Sequence, residues 1–483
     1  MTTSLFSLSG RLPCTVAQYI AQPHVRQRIR EYCGLEPGSP SAAVFLGAQP
    51  DEAGEVRRWE DTTYHPLAEL DRLLDRGGEL TRSLWDTDAL LFFLDIDHCD
   101  PDHPAEAFLH AAETFRKLEA VHEATRSALR EFGLAACDLM TGEGYHFTAR
   151  IPFASPAFNE LAELAPQIPD WLADHVRRKP PWATDAIGAT QARACTGLGM
   201  VMEFLAHDIV RRAAAPCELP LVVNSPRVGF GPHGRESISL DLSAFTDPLD
   251  IRQARTAFSV YQKSLWLGVL KDVPHGSTAL APLAVIPRAD RPLSELLEIR
   301  ADLGRAAELA AEASGRIPTL GTGLLDLVRR YRASSLARFH REFYARTWSL
   351  EDARQDRRRL AAESLPQCIR ACFDTPNDLL LRPEYLQNLT RLLVARGWPA
   401  RRIAALIGVV YQEEHGWGGR WRRMNRRVRA EVYVRAFAGM IATGVDEMVD
   451  FNCFSTQEKG MCPGTACGHE LKLECDRWRA GLQ

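Results

Sequence analysis

ALLFFLDID, Ala89 to Asp97, is apolar for six residues and then alternates acid, apolar, acid. An apolar run of strand length reads as a buried strand. AAVFLGA, Ala42 to Ala48, is a second such run. In AEAFLHAAETFRKLEAVHEATRSALREFG, Ala105 to Gly133, apolar residues recur at helical spacing and a glycine closes the pattern. ACDLMTGEGYHFTARIP, Ala136 to Pro152, and ESISLDLSAF, Glu236 to Phe245, read as strands around a turn or short loop. Up to about Lys271 the chain therefore predicts an α/β or α+β domain.

From Asp272 the texture changes. VPHGSTALAPLAVIPRADRPL is rich in proline and loop residues, and LSELLEIRADLGRAAELAAEASGR is strongly helical. The last part is helical and basic, with cysteines at both ends. The expected domains are 1–272, a helical connector over 273–356, and an all-α domain over 357–483.

The length of 483 residues fits two or three domains. Apolar content of 46% and charged content of 25% fit a soluble globular protein. No apolar run approaches the roughly 20 residues that span a bilayer. MTTSLFSLSGRLPCTVAQ has no basic region followed by an apolar core, so it does not read as a secretion signal. The expected location is cytoplasmic, with no membrane partner.

A net charge of −4 excludes a histone-like polycation but leaves room for a local basic groove. GGRWRRMNRRVRAEVYVR, Gly418 to Arg435, is such a segment, with Trp417 and Trp421 beside it. A solvated helix face is the plain reading. A nucleic-acid surface built on Arg420, Arg422, Arg423, Arg426 and Arg427 is the functional one.

The chain has 12 cysteines, and half of them follow residue 367: Cys368, Cys372, Cys453, Cys462, Cys467 and Cys475. In a cytoplasmic protein such a cluster points to metal rather than disulfides. The spacing lacks the CxxC pairs of a zinc ribbon and the run of a ferredoxin.

Side chains alternate along a strand, so Asp95 and Asp97 share a face. Two carboxylates that close repel unless neutralised, and a divalent cation does so. Two acids solvated at a strand end is the alternative, and many glycosyltransferases also hold a metal and a nucleotide-sugar with acids so spaced. Two further segments narrow the choice. A Thr-Gly-Glu-Gly turn leads into Tyr145-His146-Phe147, with glycines that allow close backbone approach to a ligand. SISLDLSAFTDPLDIRQARTAFSVYQK supplies a third acid, Asp241, followed by Arg252, Arg255, Ser259, Tyr261 and Lys263.

In order and context, LDID, TGEGYH and SLDLS resemble the motifs of the archaeo-eukaryotic primase superfamily. RTAFSVYQK is similar to the basic, serine-containing segment of polymerase domains in bacterial end-joining ligases. The resemblance covers roughly Ala89 to Lys263. It implies a primase-polymerase core with an RRM-like sheet, in an α+β (α/β) fold. It also implies that Asp95, Asp97 and Asp241 hold two Mg2+ or Mn2+ ions, which activate the attacking hydroxyl and clamp the triphosphate. His146 would touch the incoming triphosphate. Arg255 and Lys263 would neutralise it, with Arg252 and Ser259 as further candidates.

The C-terminal part resembles the iron–sulfur domain of the large primase subunit. LPQCIR departs from that family's proline-cysteine start by one inserted glutamine. YLQNLTRLLVARGWPARRIAALI, Tyr385 to Ile407, looks like its helix–turn–helix, the second helix resting on the first. NCFST and GMCPGTAC look like its later cluster segments. The resemblance implies a 4Fe-4S cluster on Cys368, Cys453, Cys462 and Cys467, with Cys475 as the alternative fourth ligand and Cys372 spare. Zinc is the alternative metal. Together the two resemblances imply a DNA primase-polymerase acting on single-stranded DNA template with NTP or dNTP substrates. The competing readings are a repair polymerase that only extends primers, a metal-dependent glycosyltransferase, and a non-enzymatic iron–sulfur nucleic-acid-binding protein. Nothing in the sequence names a helicase or other replication partner.

Overall fold

The computed structural model describes residues 14–39, 41–48, 62–165, 188–245, 253–263, 282–288, 290–374, 379–410, 425–462, 464 and 467–481. It is a mixed α/β fold of the α+β class. Its strands are β1 Leu46–Ala48, β2 Thr63–His65, β3 Leu80–Ser83, β4 Ala89–Cys99, β5 Cys137–Met140, β6 Gly144–Pro152, β7 Leu221–Val223, β8 Ser237–Asp241, β9 Gln253–Arg255, β10 Val260–Tyr261, β11 Leu283–Ala284 and β12 Ile286–Pro287.

The main sheet runs β12-β5-β6-β4-β8-β7, and β4 is its hub. β4 pairs antiparallel with β6 along nine residues and with β8 at its acidic end. Helix α1, Ala111–Glu131, links β4 to β5, and helix α2, Ala189–Ala213, lies between β6 and β8 in the chain. The chain order β4-α1-β5-β6-α2-β8, with spatial order β5-β6-β4-β8, is a split βαβ arrangement.

β4 is apolar almost throughout because both its faces are covered, which removes the usual alternation. Tyr145 and Phe147, register partners of Ile96 and Leu94, face α1. The Tyr145 ring centroid lies 5.5 Å from Phe115 and 4.3 Å from His122. The opposite face carries Phe93, Asp95 and Asp97 with His146 and Thr148. Lower on this face, the Tyr32 hydroxyl comes within 3.3 Å of the Thr148 hydroxyl, so the helix Pro23–Cys33 covers it there. The acidic end lies beyond that cover.

A second sheet, β2-β1-β3-β9, is built from the N-terminal region plus β9. The hydrophobic pattern leaves most of that region unread, because strands of three or four residues carry too little period. Residues 283–287, which fall in the connector by pattern, supply β11 against β10 and β12 against β5.

The C-terminal helices are α3 Gln367–Asp374, α4 Pro383–Ala395, α5 Ala400–Val410, α6 Arg426–Ala442, α7 Cys453–Glu458 and α8 Leu471–Ala480. The turn Gly397-Trp398-Pro399 separates α4 from α5, with Gly397 at φ +78° and the Trp398 amide donating to Leu393 O at 2.9 Å. α4 and α5 touch each other across the turn, as expected, and both pack more extensively on α6. α6 is buried on most of its circumference, as a central helix must be.

α6 also docks on α2, where Arg435 pairs with Glu203 and the Thr443 hydroxyl lies 3.2 Å from His207 Nδ1. α7 docks on the loop before β8. There the Phe230 amide donates to Glu458 at 2.9 Å, and Arg235 Nη1 donates to the Glu458 carbonyl at 2.9 Å. Among the described residues no helix is long and apolar enough to cross a membrane.

Candidate functional site

The three motifs meet on one row of the main sheet. Asp95 stands opposite His146 on β6 and opposite Asp241 on β8. Residues directly paired across strands share a face, so these side chains project together. Asp97, two residues on, takes the same face opposite Gly144 and Ser239. Asp95 is buried, while Asp97 and Asp241 are half-buried. His146 is buried, with Nε2 3.2 Å from Asp95 Oδ1, yet neither ring nitrogen has a hydrogen-bond partner among the described residues. Phe93 holds the imidazole edge-on at 5.1 Å between centroids. Asp241 Oδ1 accepts the Ser243 amide at 2.8 Å, which fixes the acid where the strand ends.

Burial pushes the Asp97 carboxyl upward, and the charge of Asp95 adds to the push, while Lys263 opposes it. A cation among these oxygens would relieve both effects. This is the chemistry of a divalent-metal acid set. Among the described residues, no three His, Cys, Asp or Glu side chains stand close enough together to hold one ion.

The wall facing the row comes from β9 and β10. Arg255 Nε pairs with Glu79 Oε1 at 2.8 Å, and its guanidinium lies 4.3 Å over the Tyr261 ring. Lys263 pairs with Glu143 in the Thr-Gly-Glu-Gly turn, and the Tyr261 hydroxyl donates to the same Glu143 oxygen at 2.9 Å. Burial alone would lower the Lys263 ammonium, but Glu143 and Asp97 hold it above its ordinary value. Sequence reasoning missed Glu79 and Glu143. An acid inside a motif already credited to its glycines and histidine was the available signal for Glu143.

Ser259, a candidate for the pocket wall, is buried and donates to the Thr256 carbonyl at 2.7 Å, so its hydroxyl serves its own turn. Arg252 lies outside the described residues. The polar tip of β4 is occupied by partners. His98 Nε2 lies 2.6 Å from Glu236, which Lys117 also holds at 2.8 Å, and Asp102 pairs with Arg235.

The C-terminal cysteines approach one another, but among the described residues no three of them stand close enough together to hold one ion. Burial pushes the Cys368 thiol up to about 12, and the neighbouring Cys462, Cys372, Cys453 and Cys467 add to it. Burial raises the Cys453 thiol, and the Leu471 amide, which donates to its Sγ at 3.4 Å, opposes that. Cys372, one helical turn after Cys368, donates to the Cys368 carbonyl at 3.5 Å. Cys475 is buried elsewhere, 3.9 Å from Met448 Sδ.

Of the basic run only residues 425–435 are among the described ones, and their arginines do not form one exposed face. Arg420, Arg422 and Arg423 lie outside the described residues. Arg426 and Arg427 open α6 and are half-buried, with burial lowering both. Arg429 donates to the Leu380 carbonyl at 2.6 Å. Arg435 is fully buried against Glu203 and Tyr344, so the expectation that the surface extends to Arg435 is corrected. A cavity of about 690 Å³ lined by Met200, Tyr331, His340 and Tyr344 lies where α2 meets the connector helices, and none of the acids lines it.

Comparison with protein-family models, curated proteins and solved structures returns no match to this chain.

Proposed function

We propose that the chain is a DNA primase-polymerase, a template-directed nucleotidyltransferase that makes or extends primers on single-stranded DNA. One observation carries the reading. Asp95, His146 and Asp241 come from three motifs spread over about 150 residues, yet they occupy one row across three strands. The split βαβ order supports an RRM-like core.

Asp95, Asp97 and Asp241 are the residues that would hold two Mg2+ or Mn2+ ions, which would supply activation of the attacking hydroxyl and charge neutralisation. The chain's own side chains do the rest. His146 has free hydrogen-bonding capacity to offer a phosphate oxygen. Lys263 and Arg255 bring positive charge to the wall facing the acids. Cys368, Cys453, Cys462 and Cys467 would hold a 4Fe-4S cluster. Zinc on the same thiols is the alternative. A cytoplasmic location follows from the same reading.

The test uses anaerobically purified protein, single-stranded template, labelled nucleotides and Mg2+ or Mn2+, without primer. Wild type should yield new oligonucleotides. Asp95→Ala and Asp97→Ala should each lose about a thousandfold or more, since a carboxylate holding the ions is worth several kcal/mol. Product only after primer is added would make the chain an extending polymerase. No product in either format would overturn the reading.

A further inference from the structure

Among the described residues, Arg255 and Lys263 face the acid row and are already paired with carboxylates, and the two pairs differ. Glu79 is buried, and its second oxygen accepts the Gln262 amide at 3.0 Å, so it is fixed by the backbone beside Arg255. Glu143 sits in a turn between two strands and is half-buried. Among the described residues its side-chain bonds go to Lys263 and the Tyr261 hydroxyl, both through one oxygen. Beside it, His146 is 2% exposed at the side chain and has no hydrogen-bond partner for either nitrogen among the described residues. A buried polar group in that state calls for a partner, and a ligand atom beside Asp95 would supply one.

We propose that Glu143 is an internal substitute for a substrate phosphate: it holds the Lys263 ammonium in the free protein and gives it up when a metal-charged nucleoside triphosphate enters. This rests on the nucleotidyl-transfer reading and adds a selectivity device to it. Once displaced from Lys263, Glu143 is a carboxylate whose charge bears on Asp97. Like charges in a half-buried cleft repel. A divalent cation arriving with the phosphates offsets that repulsion, and bare nucleotide does not. Nucleotide and cation then strengthen each other's binding, and thermodynamics requires the coupling to be reciprocal. A pair of cations without Glu143 would instead attract any polyphosphate.

The experiment measures equilibrium binding of a non-hydrolysable α,β-imido deoxynucleoside triphosphate to the full-length protein by calorimetry, with and without Mg2+. Glu143→Gln keeps the shape and an acceptor for Tyr261 but removes the charge. It should bind the cation-free nucleotide about tenfold tighter than wild type, a change of about 1.4 kcal/mol, and lose most of the Mg2+ dependence. Glu143→Asp should keep that dependence. Tyr261→Phe, which removes one of the two bonds to Glu143, should shift cation-free affinity in the same direction as Glu143→Gln but by less. An unchanged ratio of affinities with and without Mg2+ in Glu143→Gln would overturn the device while leaving the nucleotidyl-transfer reading intact. Failure of wild type to bind the analogue under either condition would overturn both.

Discussion

Cys467 and Cys475 differ in what surrounds their sulfurs. The Cys467 thiol is one of the charges felt by Cys368, together with Cys453 and Cys462. Cys475 packs against Met448 and faces Arg479 and Asp446 instead. Cys467→Ser should therefore abolish iron retention in anaerobically purified protein, and Cys475→Ser should retain wild-type iron, as read by metal analysis and visible absorption. The reverse result would move the fourth ligand to Cys475. Zinc in place of iron would decide for the other metal. At this scale the sequence was legible where chemistry left an ordered trace, as with Asp95, Asp97, His146 and Asp241. It was silent where meaning depends on a distant partner. Arg435 reads as one more member of a basic run, and only the fold brings it to Glu203, 232 positions away. Glu143 carries no reading of its own in the turn until Lys263 is placed beside it.

Gly144 shows how an element constrains the site. Glycine in TGEG suggests close approach to a ligand, but here the close neighbour is β4 itself. A Cβ on Gly144 would lie 1.7 Å from the Ile96 carbonyl oxygen. That atom is backbone in the ladder that pairs Asp97 with Gly144, so it cannot yield without shifting the register that builds the row. Gly144→Ala should cost about 1–3 kcal/mol in urea unfolding, as overpacking does, and should lower nucleotidyl transfer further than that loss alone explains. Unchanged stability would mean that β4 and β6 are not so closely paired. Long elements such as β4, α1, α4 and α5 were legible from periodicity and from the Gly397-Trp398-Pro399 turn. β9 to β12 have two or three residues each. They are recruited by the sheets they complete, and no pattern inside them announces it.

At the scale of the whole molecule, core and C-terminal helices are joined through a buried ionic network. Glu203 on α2 accepts from Arg435 of α6, and His340 Nε2 lies 3.0 Å from its other oxygen. The Tyr331 hydroxyl lies 2.8 Å from His340 Nδ1, so a neutral imidazole satisfies both neighbours. Burial alone would raise the Glu203 carboxyl, but Arg435 and then His340 hold it down at about 2. Burial lowers His207 to about 3 and lowers His340 as well. The unfolded chain thus binds more protons than the folded one as pH falls below about 6.5. Stability contributed by the histidines is present above that value and drains away as pH drops towards 3. The Glu203 share is present above about 4.5 and drains away towards 2. Melting temperature should therefore fall steadily on acidification from neutrality.

Charge removal tests the same network without acid. Arg435→Met leaves a buried carboxylate with only a neutral histidine, and breaking one side of a buried pair costs about 3–5 kcal/mol. Arg435→Met with Glu203→Leu removes both charges, and should recover most of that loss because apolar side chains often replace a buried pair at little cost. If the network holds the two parts together, the single variant should also split the urea transition in two, with the C-terminal helices unfolding first. A single variant as stable as wild type would mean that Glu203 takes up a proton or reaches water instead, and that the α2–α6 contact rests on apolar packing.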